Sequence, residues 1–402
     1  MLRDKLSRFS QHIDSPDKLN NDDAEYDRYR VAHKLLGGQL CNLPAGTFLK
    51  ITSDFSSDYK HGNLSIFQLT QFAPCRYLHF NRCGTDDAID PEKLLFLDIE
   101  TTGLGGSGTV PFLIGLGSIL GDSFQVRQYF LPDYPDEAAM LEAVREEISG
   151  ETVIVSYNGK AFDMPIITDR MIINRVERNL GIADHIDLLH STRRLYRRRL
   201  QSCTLSNIER HILDYHRHGD IPGELVPAVY FAWLNTMETE LLKPVVEHNL
   251  NDIVSLYFLM YQISRIHSEP EKQLTDADDL YSLARIFENR KEHDRVRLTL
   301  EGCRNIISDE GRYDLLYMQS LACKRTGCFD EAVALWKQVA ESEDILTFPA
   351  LIELAKYYEH RVRDLPLALE YSQKAQRVCP ARESDRANLI KRIARLNKKM
   401  AR

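Results

Sequence analysis

The sequence lacks the features that mark membrane and secreted proteins. No apolar run in its 402 residues reaches the roughly 20 residues that a membrane-spanning helix needs. The segment from Met1 to Lys18 is charged and has no apolar core, so it does not resemble a secretory signal. Eight cysteines occur without a CxxC pair or a repeating spacing, which argues against a disulfide framework or a zinc site. These absences predict a cytoplasmic protein with reduced thiols and no membrane partner.

An excess of positive charge is also missing. The formal net charge is -8 at pH 7, so bulk electrostatics does not predict a nucleic-acid-binding protein. The charge is nevertheless uneven, because five of the seven residues 193–199 are arginines, and Arg217 follows nearby. Helical spacing would place Arg194, Arg197 and Arg198 on one side. Two interpretations of that side stay open: a strip that faces phosphate groups, or a solvated helix face.

Length and composition are those of a globular protein with several domains. Hydrophobic residues make up 43% and charged residues 27% of the chain, and 402 residues exceed one ordinary core. We predict an N-terminal helix and small β-rich extension over residues 1–90, in which we see no chemistry. An α/β domain over 91–268 and an all-helical domain over 274–402 follow, and residues 86–91 are predicted to be the first linker.

An apolar run that ends in two carboxylates is the main feature of the middle region. Residues 94–103 read LLFLDIETTG, which is typical of a buried central strand closed by a glycine. Asp98 and Glu100 are two residues apart, so they project from the same side of this strand. Two like charges at the end of a buried strand need neutralisation, and a hard divalent cation provides it. The run therefore predicts half of a metal site.

The glycines after this strand formally match the GxGxxG pattern of a dinucleotide-binding turn. Such a turn must open a helix that holds the pyrophosphate, but Pro111 and the apolar run 112–120 follow instead. Gly121-Asp122 then links that run to the apolar run 123–130, which indicates a hairpin. Three strands thus form an antiparallel meander. A helix over 135–149, a buried strand over 152–156 and a helix over 164–179 come next, which is the order of a ribonuclease H-like α/β fold.

Two further acids are candidates for the other half of the site. Asp163 lies at the start of the helix after the fourth strand, where, taken alone, a helix cap explains it better than a metal ligand, but the end of a central strand places it to face Asp98 and Glu100. Asp252 lies on a long helix with an apolar stripe, predicted over 243–267, one turn from His248. We predict one site of oxygen ligands that holds two Mg²⁺ or Mn²⁺ ions. Its four metal ligands are Asp98, Glu100, Asp163 and Asp252.

Three segments together resemble the motifs of the DnaQ-like, or DEDD, 3′–5′ exonuclease superfamily. They are Asp98-Ile99-Glu100, the pattern Asn-x3-Phe-Asp at residues 158–163 and His-x3-Asp at residues 248–252. Within that superfamily the segments 186–190 and 203–209, with the arginine run between them, are most similar to YprB-type ribonuclease H-like proteins. The resemblance spans roughly residues 94–265.

This resemblance implies a fold, an activity and a set of contacts. The fold is a ribonuclease H-like domain with a mixed sheet, in which an antiparallel meander precedes parallel strands and helices flank the sheet. The activity is metal-dependent hydrolysis of DNA or RNA from a single-stranded 3′ end. Thr101, Asn158 and Phe162 are implied to contact the terminal nucleotide.

The third motif departs from the superfamily pattern. The superfamily carries either Tyr four residues before the last Asp or His five residues before it. Here His248 has the tyrosine spacing, and Glu247 has the histidine spacing. A histidine with a pKa near 6.5 suits general-base catalysis, so we place His248 among the catalytic residues. Which of these two residues acts as the base stays open.

The last third of the chain predicts paired amphipathic helices. Residues 283–287, 321–324 and 354–358 are similar first-helix segments, and residues 327–336 resemble the turn and second helix of a tetratricopeptide repeat. Three degenerate repeats suffice for a stable stack, whose concave face would bind a protein or nucleic-acid partner.

Two functional hypotheses follow from the sequence. The first is a metal-dependent nuclease, most simply a 3′–5′ exonuclease. The alternative is an inactive nucleic-acid-binding or protein-interaction scaffold that retains the fold. Intact carboxylates favour the nuclease, because a scaffold would gain stability by replacing uncompensated acids.

Overall fold

The computed structural model describes residues 21–70, 89–103, 106, 108–148, 150–237, 240–309, 311–380 and 382–401. Its described residues form two compact units. The first contains the chain up to residue 193 together with 202–264, and the second contains 194–201 together with the chain from 265 onward. The three-domain division at residues 90 and 268 stays a prediction, and residues 86–88 of the predicted linker lie outside the described residues.

The N-terminal segment contributes two strands to the main sheet. Helix α1 (Asn21–Leu36) is the predicted N-terminal helix and stops at Leu36, because Gly37 and Gly38 both have positive φ, at 71° and 82°. Strands β1 (Gln39–Leu43) and β2 (Gly46–Phe55) then form an antiparallel hairpin. A second small hairpin, β3 (Lys60–His61) and β4 (Leu64–Ser65), precedes helix α2 (Ile66–Thr70).

The sheet has seven strands in the order β1-β2-β7-β6-β5-β8-β9. The remaining strands are β5 (Leu94–Thr101), β6 (Pro111–Leu120), β7 (Ser123–Phe130), β8 (Val153–Ser156) and β9 (Asp184–Asp187). Strands β5, β6 and β7 are antiparallel neighbours, whereas β8 runs parallel to β5 and β9 runs parallel to β8. The predicted ribonuclease H-like class, with a meander followed by parallel strands, is confirmed.

Six further helices of the described residues lie wholly or mostly in the first unit. They are α3 (Glu137–Glu147), α4 (Asp163–Ile173), α5 (Leu188–Tyr196), α6 (Leu205–Ile208), α7 (Val226–Thr236) and α8 (Leu242–Ser268). Short 3-10 turns cover Pro91–Lys93, Tyr134–Asp136 and Gly223–Leu225, and a π-helical turn covers Glu209–Leu213. Helix α4 stops well before the predicted residue 179 because Arg175 adopts a left-handed conformation, with φ 59°.

Two glycines on β6 let helix α8 lie close to the sheet. A Cβ added at Gly115 would lie 2.1 Å from Ile253 Cδ1 and 2.3 Å from Asn249 Oδ1, and one added at Gly117 would lie 2.6 Å from Ile253 Cγ2. All three distances are shorter than packed side chains allow. The glycines of this strand therefore position α8, and the residues that it carries, directly over β5 and β6.

The second unit is helical within the described residues. Its elements are α9 (Pro270–Gln273), α10 (Ala277–Asn289), α11 (His293–Gly302), α12 (Arg304–Asp309), α13 (Tyr313–Thr326), α14 (Phe329–Ala340), α15 (Thr347–Tyr357), α16 (Leu365–Arg377) and α17 (Glu383–Met400), with a π-helical turn over Tyr358–Val362. The predicted helical region is confirmed, and its assignment to tetratricopeptide repeats stays a prediction. None of the described helices of the chain is both long and apolar enough to cross a membrane.

Candidate active site

Strand β5 presents the two acids that the sequence singles out. Asp98 lies opposite Gly115 in the antiparallel register with β6, and Glu100 lies opposite Leu113. The register shifts between Glu100 and Thr101, so a bulge ends the regular pairing directly after the second acid. Glu100 is buried. An irregular strand end next to buried carboxylates is typical of a functional site.

Asp163 reaches the site through a tight turn between β8 and α4. Asn158 has a φ of 69°, a left-handed conformation that Asn tolerates better than most residues. A Cβ at Gly159 would lie 2.5 Å from Ser156 Oγ and 2.7 Å from Asp163 Oδ2. Only glycine therefore allows the turn to close and the buried Asp163 to begin the helix.

Helix α8 supplies His248 and Asp252 from successive turns. His248 Nε2 lies 3.6 Å from Asp252 Oδ2. One ligand atom each from Glu100, His248 and Asp252 lie within 4.8 Å of one another, so these three side chains could hold a metal ion. Glu247 is exposed, whereas His248 is largely buried among the acids. Geometry thus favours His248 over Glu247 for a role at this site.

The pKa values show that the four predicted carboxylates interact. Burial raises the pKa of Asp98 well above its usual range, and the charges of Asp252, Glu100 and Asp163 raise it further. Burial likewise raises the pKa of Glu100, with Asp252 and Asp163 adding to the effect. The structure therefore brings all four acids together in a poorly solvated cluster that needs compensating positive charge.

Asp187, which the sequence named only within a similar segment, is a further acid next to the four, and it is buried. It ends β9 and accepts hydrogen bonds from the backbone N–H groups of Asn158 at 2.8 Å, Leu189 at 3.1 Å and Lys160 at 3.3 Å. Burial, followed by the charges of Asp187 and Asp252, raises the pKa of Asp163 to about 7. Asp187 thus fixes the turn that carries Asn158 and adds to the negative potential at Asp163.

Sequence reasoning missed an amide that holds Asp98. Asn249 Nδ2 donates to Asp98 Oδ2 at 2.8 Å and to the Asp98 carbonyl at 3.1 Å. Gln128 Nε2 donates to Asn249 Oδ1 at 2.8 Å, and this fixes which end of the amide faces the carboxylate. Asn249 adjoins His248 in the third motif. Its partner on β7, Gln128, is marked in the sequence only as a polar residue within an apolar strand.

A buried arginine was also missed as a site residue. Arg217 donates from Nε to Glu209 Oε2 at 2.7 Å, and its Nη2 makes an ion pair with Asp252. Asp220, in the same loop, accepts a hydrogen bond from His248 Nδ1 at 2.7 Å. Burial alone would lower the pKa of His248, but this bond and the charges of Asp252 and Asp220 outweigh burial and raise it. The sequence placed Arg217 near the basic run, whereas in the structure Arg217 belongs to the first unit and residues 194–199 to the second.

The N-terminal segment, for which we predicted no chemistry, contacts helix α8 through His61. His61, on β3, lies with Nε2 at 2.8 Å from Ser255 Oγ, and Ser255 Oγ donates to Glu209. The buried imidazole stacks on Tyr215, with ring centroids 3.6 Å apart. Burial, with the nearby charge of Arg217, lowers the pKa of His61 to about 3.

The residues predicted to bind substrate differ in their contacts and in their exposure to solvent. Thr101 Oγ1 donates to the Gly103 carbonyl at 2.6 Å, and Phe162 packs against the hydrophobic core beside Asp163. Arg194 and Arg197 are exposed. Arg198 makes ion pairs with Asp278 at 2.6 Å and Asp314 at 3.3 Å within the second unit, and its guanidinium lies 4.0 Å from the ring centre of Tyr281.

Comparison with known proteins identifies the family. A family model described as the RNase_H superfamily matches residues 95–264. The uncharacterized protein YprB of Bacillus subtilis (strain 168) is 32% identical over 363 residues, which cover 86% of this chain and 84% of YprB. The chain belongs to the YprB family. The family B DNA polymerase of Pyrobaculum calidifontis matches at 15% identity with a TM-score of 0.35, over 66% of this chain and 35% of the polymerase.

The side chains of this YprB-family site fit a divalent cation. Acids whose pKa values are raised by burial and by one another are stabilised by a nearby positive charge. Carboxylate oxygens are ligands that Mg²⁺ and Mn²⁺ prefer, and an imidazole nitrogen within the same cluster adds a further donor. Asp220 holds the other ring nitrogen of His248, as acidic side chains commonly do for histidines at metal sites.

Proposed function

We propose that the protein is a metal-dependent nuclease of DNA or RNA and that it acts as a 3′–5′ exonuclease. One observation carries this proposal: four buried or partly buried acids from β5, α4 and α8 meet beside His248, and burial together with the neighbouring carboxylates raises the pKa values of Asp98, Glu100 and Asp163. The RNase_H superfamily model matches the residues that form this cluster. Because that superfamily contains nucleases, we assign hydrolysis of phosphodiester bonds to the cluster. Exonuclease polarity is supported by the three motifs.

Asp98, Glu100, Asp163 and Asp252 would hold two Mg²⁺ or Mn²⁺ ions. When bound, such ions polarise the scissile phosphate and lower the pKa of an attacking water. The chain's own contribution is positioning and proton transfer. Because Nδ1 of His248 donates to Asp220, its Nε2 is left as an acceptor that faces Asp252 and takes a proton from the water.

The remaining predicted contacts belong to the same proposal. Thr101, Asn158 and Phe162 adjoin the acids in the chain and would contact the terminal nucleotide. Phosphate groups of the substrate would be contacted by Arg194, Arg197 and Arg198. To do so, Arg198 would break its ion pairs with Asp278 and Asp314. A cytoplasmic location and tetratricopeptide-type repeats that bind a protein or nucleic-acid partner complete the proposal.

The test uses single-stranded DNA and RNA, labelled at either end, with Mg²⁺, Mn²⁺ or a chelator. We expect metal-dependent shortening from the 3′ end, and no cleavage of circular single strands. Asp98→Asn and Asp163→Asn should abolish activity, whereas Asp122→Asn, at an exposed hairpin turn, should retain it. Metal-independent cleavage, or equal activity in the site variants and the wild type, would refute the proposal.

A scaffold without activity is the alternative, and one observation favours it. Arg217 already neutralises Asp252, and Asn249 already binds Asp98, so part of the cluster is satisfied without a metal. The same assay separates the two functions. A scaffold would bind the labelled strand in a gel shift and leave its length unchanged at every metal concentration.

A further inference from the structure

Arg217 has the surroundings of a structural ion pair but touches a residue of the proposed metal site. Its side chain is 7% exposed and lies between Glu209, 1% exposed, and Asp252, 15% exposed. Nη1 lies 3.4 Å from Asp220 Oδ2 and 3.3 Å from His248 Nδ1. A guanidinium cannot be deprotonated in a protein, so this positive charge is permanent.

The four acids of the cluster have few other cationic partners. Among the described residues, the basic side chains paired with these four acids are Arg217 and His248, both at Asp252, and His248 is a cation only when it is protonated. The charge of Arg217 also opposes the rise in the pKa of Glu100. Arg217 therefore supplies part of the positive charge that a divalent cation would bring.

The anchoring of Arg217 does not depend on Asp252. Glu209 accepts hydrogen bonds from Nε and Nη2 of the guanidinium, and it accepts another from the Ser255 hydroxyl. Ser255 is in turn hydrogen-bonded to His61 on the N-terminal hairpin. If Asp252 binds another cation instead, Arg217 remains paired with both carboxylate oxygens of Glu209. Asp252, by contrast, has Oδ1 on Arg217 and Oδ2 facing His248.

We propose that Arg217 is a resident counter-ion of the site, which neutralises Asp252 in the metal-free protein and competes with the divalent cation for that carboxylate. This inference rests on the proposed function, since it concerns the same metal site. It makes Arg217 a residue that sets the metal concentration at which the site fills. A purely structural role predicts the opposite sign, because an arginine that merely orients Asp252 would help metal binding.

The experiment is calorimetric titration of the metal-free full-length protein with Mn²⁺. Arg217→Gln should bind Mn²⁺ about tenfold more tightly than the wild type, since a like charge a few ångströms from the ion is removed. Glu209→Gln should bind more weakly, because Arg217 then relies on Asp252. Arg217→Lys, which keeps the charge, should stay near the wild type.

Arg170→Gln is the matched control, because Arg170 pairs with the buried Glu137 away from the site. It should lose stability and leave the affinity for Mn²⁺ unchanged. If Arg217→Gln does not fold, the double variant Arg217→Gln/Glu209→Gln removes the whole Arg217–Glu209 pair, so Glu209 is not left as an unpaired buried acid. It too should bind Mn²⁺ more tightly than Glu209→Gln alone.

The outcomes separate this inference from the proposed function. Equal or weaker Mn²⁺ binding by Arg217→Gln, in a protein whose wild type binds the ion, overturns the counter-ion role and leaves the nuclease intact. No Mn²⁺ binding by the wild type, or equal binding by Asp98→Asn, overturns the metal site and the counter-ion role together. Opposite shifts for Arg217→Gln and Glu209→Gln support both.

Discussion

Asn249 and Asp98 face each other across the junction of helix α8 and strand β5, with the amide Nδ2 at 2.8 Å from the carboxylate Oδ2. The oxygen of the same amide accepts from Gln128, so the contact is one link in a buried chain that crosses the sheet. Asp98 is thereby held in one orientation by a neutral donor. This leaves its charge uncompensated and available to a cation.

Replacing Asn249 should damage both folding and the site. Asn249→Ala leaves an oxygen of Asp98 and one N–H of the Gln128 amide without a partner, so we expect a loss of about 1–3 kcal/mol in the free energy of unfolding. Urea unfolding and Mn²⁺ titration measure the two effects. Asn174→Ala, which removes an amide bonded to the Arg170 carbonyl outside the site, is the control and should leave Mn²⁺ affinity unchanged. Unchanged affinity in Asn249→Ala would show that Asp98 needs no such support.

A single methyl group at Gly115 should displace helix α8. The added Cβ would lie 2.1 Å from Ile253 Cδ1 and 2.3 Å from Asn249 Oδ1. We expect Gly115→Ala to destabilise the protein by about 1–3 kcal/mol, the usual effect of overpacking, and to weaken Mn²⁺ binding. Gly108→Ala is the control, because a Cβ added at Gly108 would meet no atom of the described residues within 4 Å. Equal melting temperatures for the two variants would contradict the close approach of α8.

Local patterns explain which parts of this site were predictable. Two patterns at this site are local in the sequence: the apolar run that ends at Asp98 and Glu100, and the turn at Gly121-Asp122. The strands of the structure lie where these patterns predict them. Arg217 and His61 meet Asp252 and Ser255 only through packing, and neither lies in a periodic pattern. The long loop that carries Arg217 and Asp220 follows a π-helical turn, which no residue pattern announces.

Helix α4 shows the same limit at an element boundary. Its apolar spacing continues past Ile173, so the sequence predicts a longer helix. A left-handed Arg175 ends it instead, a conformation that the residue type does not favour. The helix end is closed by the Val176 N–H, which donates to the Met171 carbonyl at 2.8 Å.

The stability of the metal-free protein should depend on the ionisation of Asp163. Its pKa is about 7 in the folded protein and about 3.9 in an unfolded chain. The folded state therefore binds this proton more tightly, and stability from this group falls as the pH rises from about 4 to 7. With chelator present, Asp163→Asn should match the wild type near pH 4 and exceed it at pH 8 by up to about 4 kcal/mol.

Urea unfolding at several pH values measures this difference. Adding Mn²⁺ at pH 8 should reverse the order, because the ion stabilises a folded protein that keeps all four acids. A stability difference between Asp163→Asn and the wild type that does not vary with pH would contradict the raised pKa of Asp163.

Low pH should lower the stability of the protein through His61. This pH dependence is opposite to the one expected from Asp163. The pKa of His61 is about 3 when folded and about 6.5 when unfolded, so below pH 6.5 the unfolded chain binds a proton that the folded protein excludes. Stability from this group is complete above pH 6.5 and is lost as the pH falls towards 3, by about 2 kcal/mol at pH 5. His61→Phe keeps an aromatic ring against Tyr215 and Phe258 but cannot be protonated. Urea unfolding at pH 7.5 and pH 5 should therefore show the wild type losing more stability than His61→Phe, and parallel losses would mean that the His61 ring is accessible to protons in the folded protein.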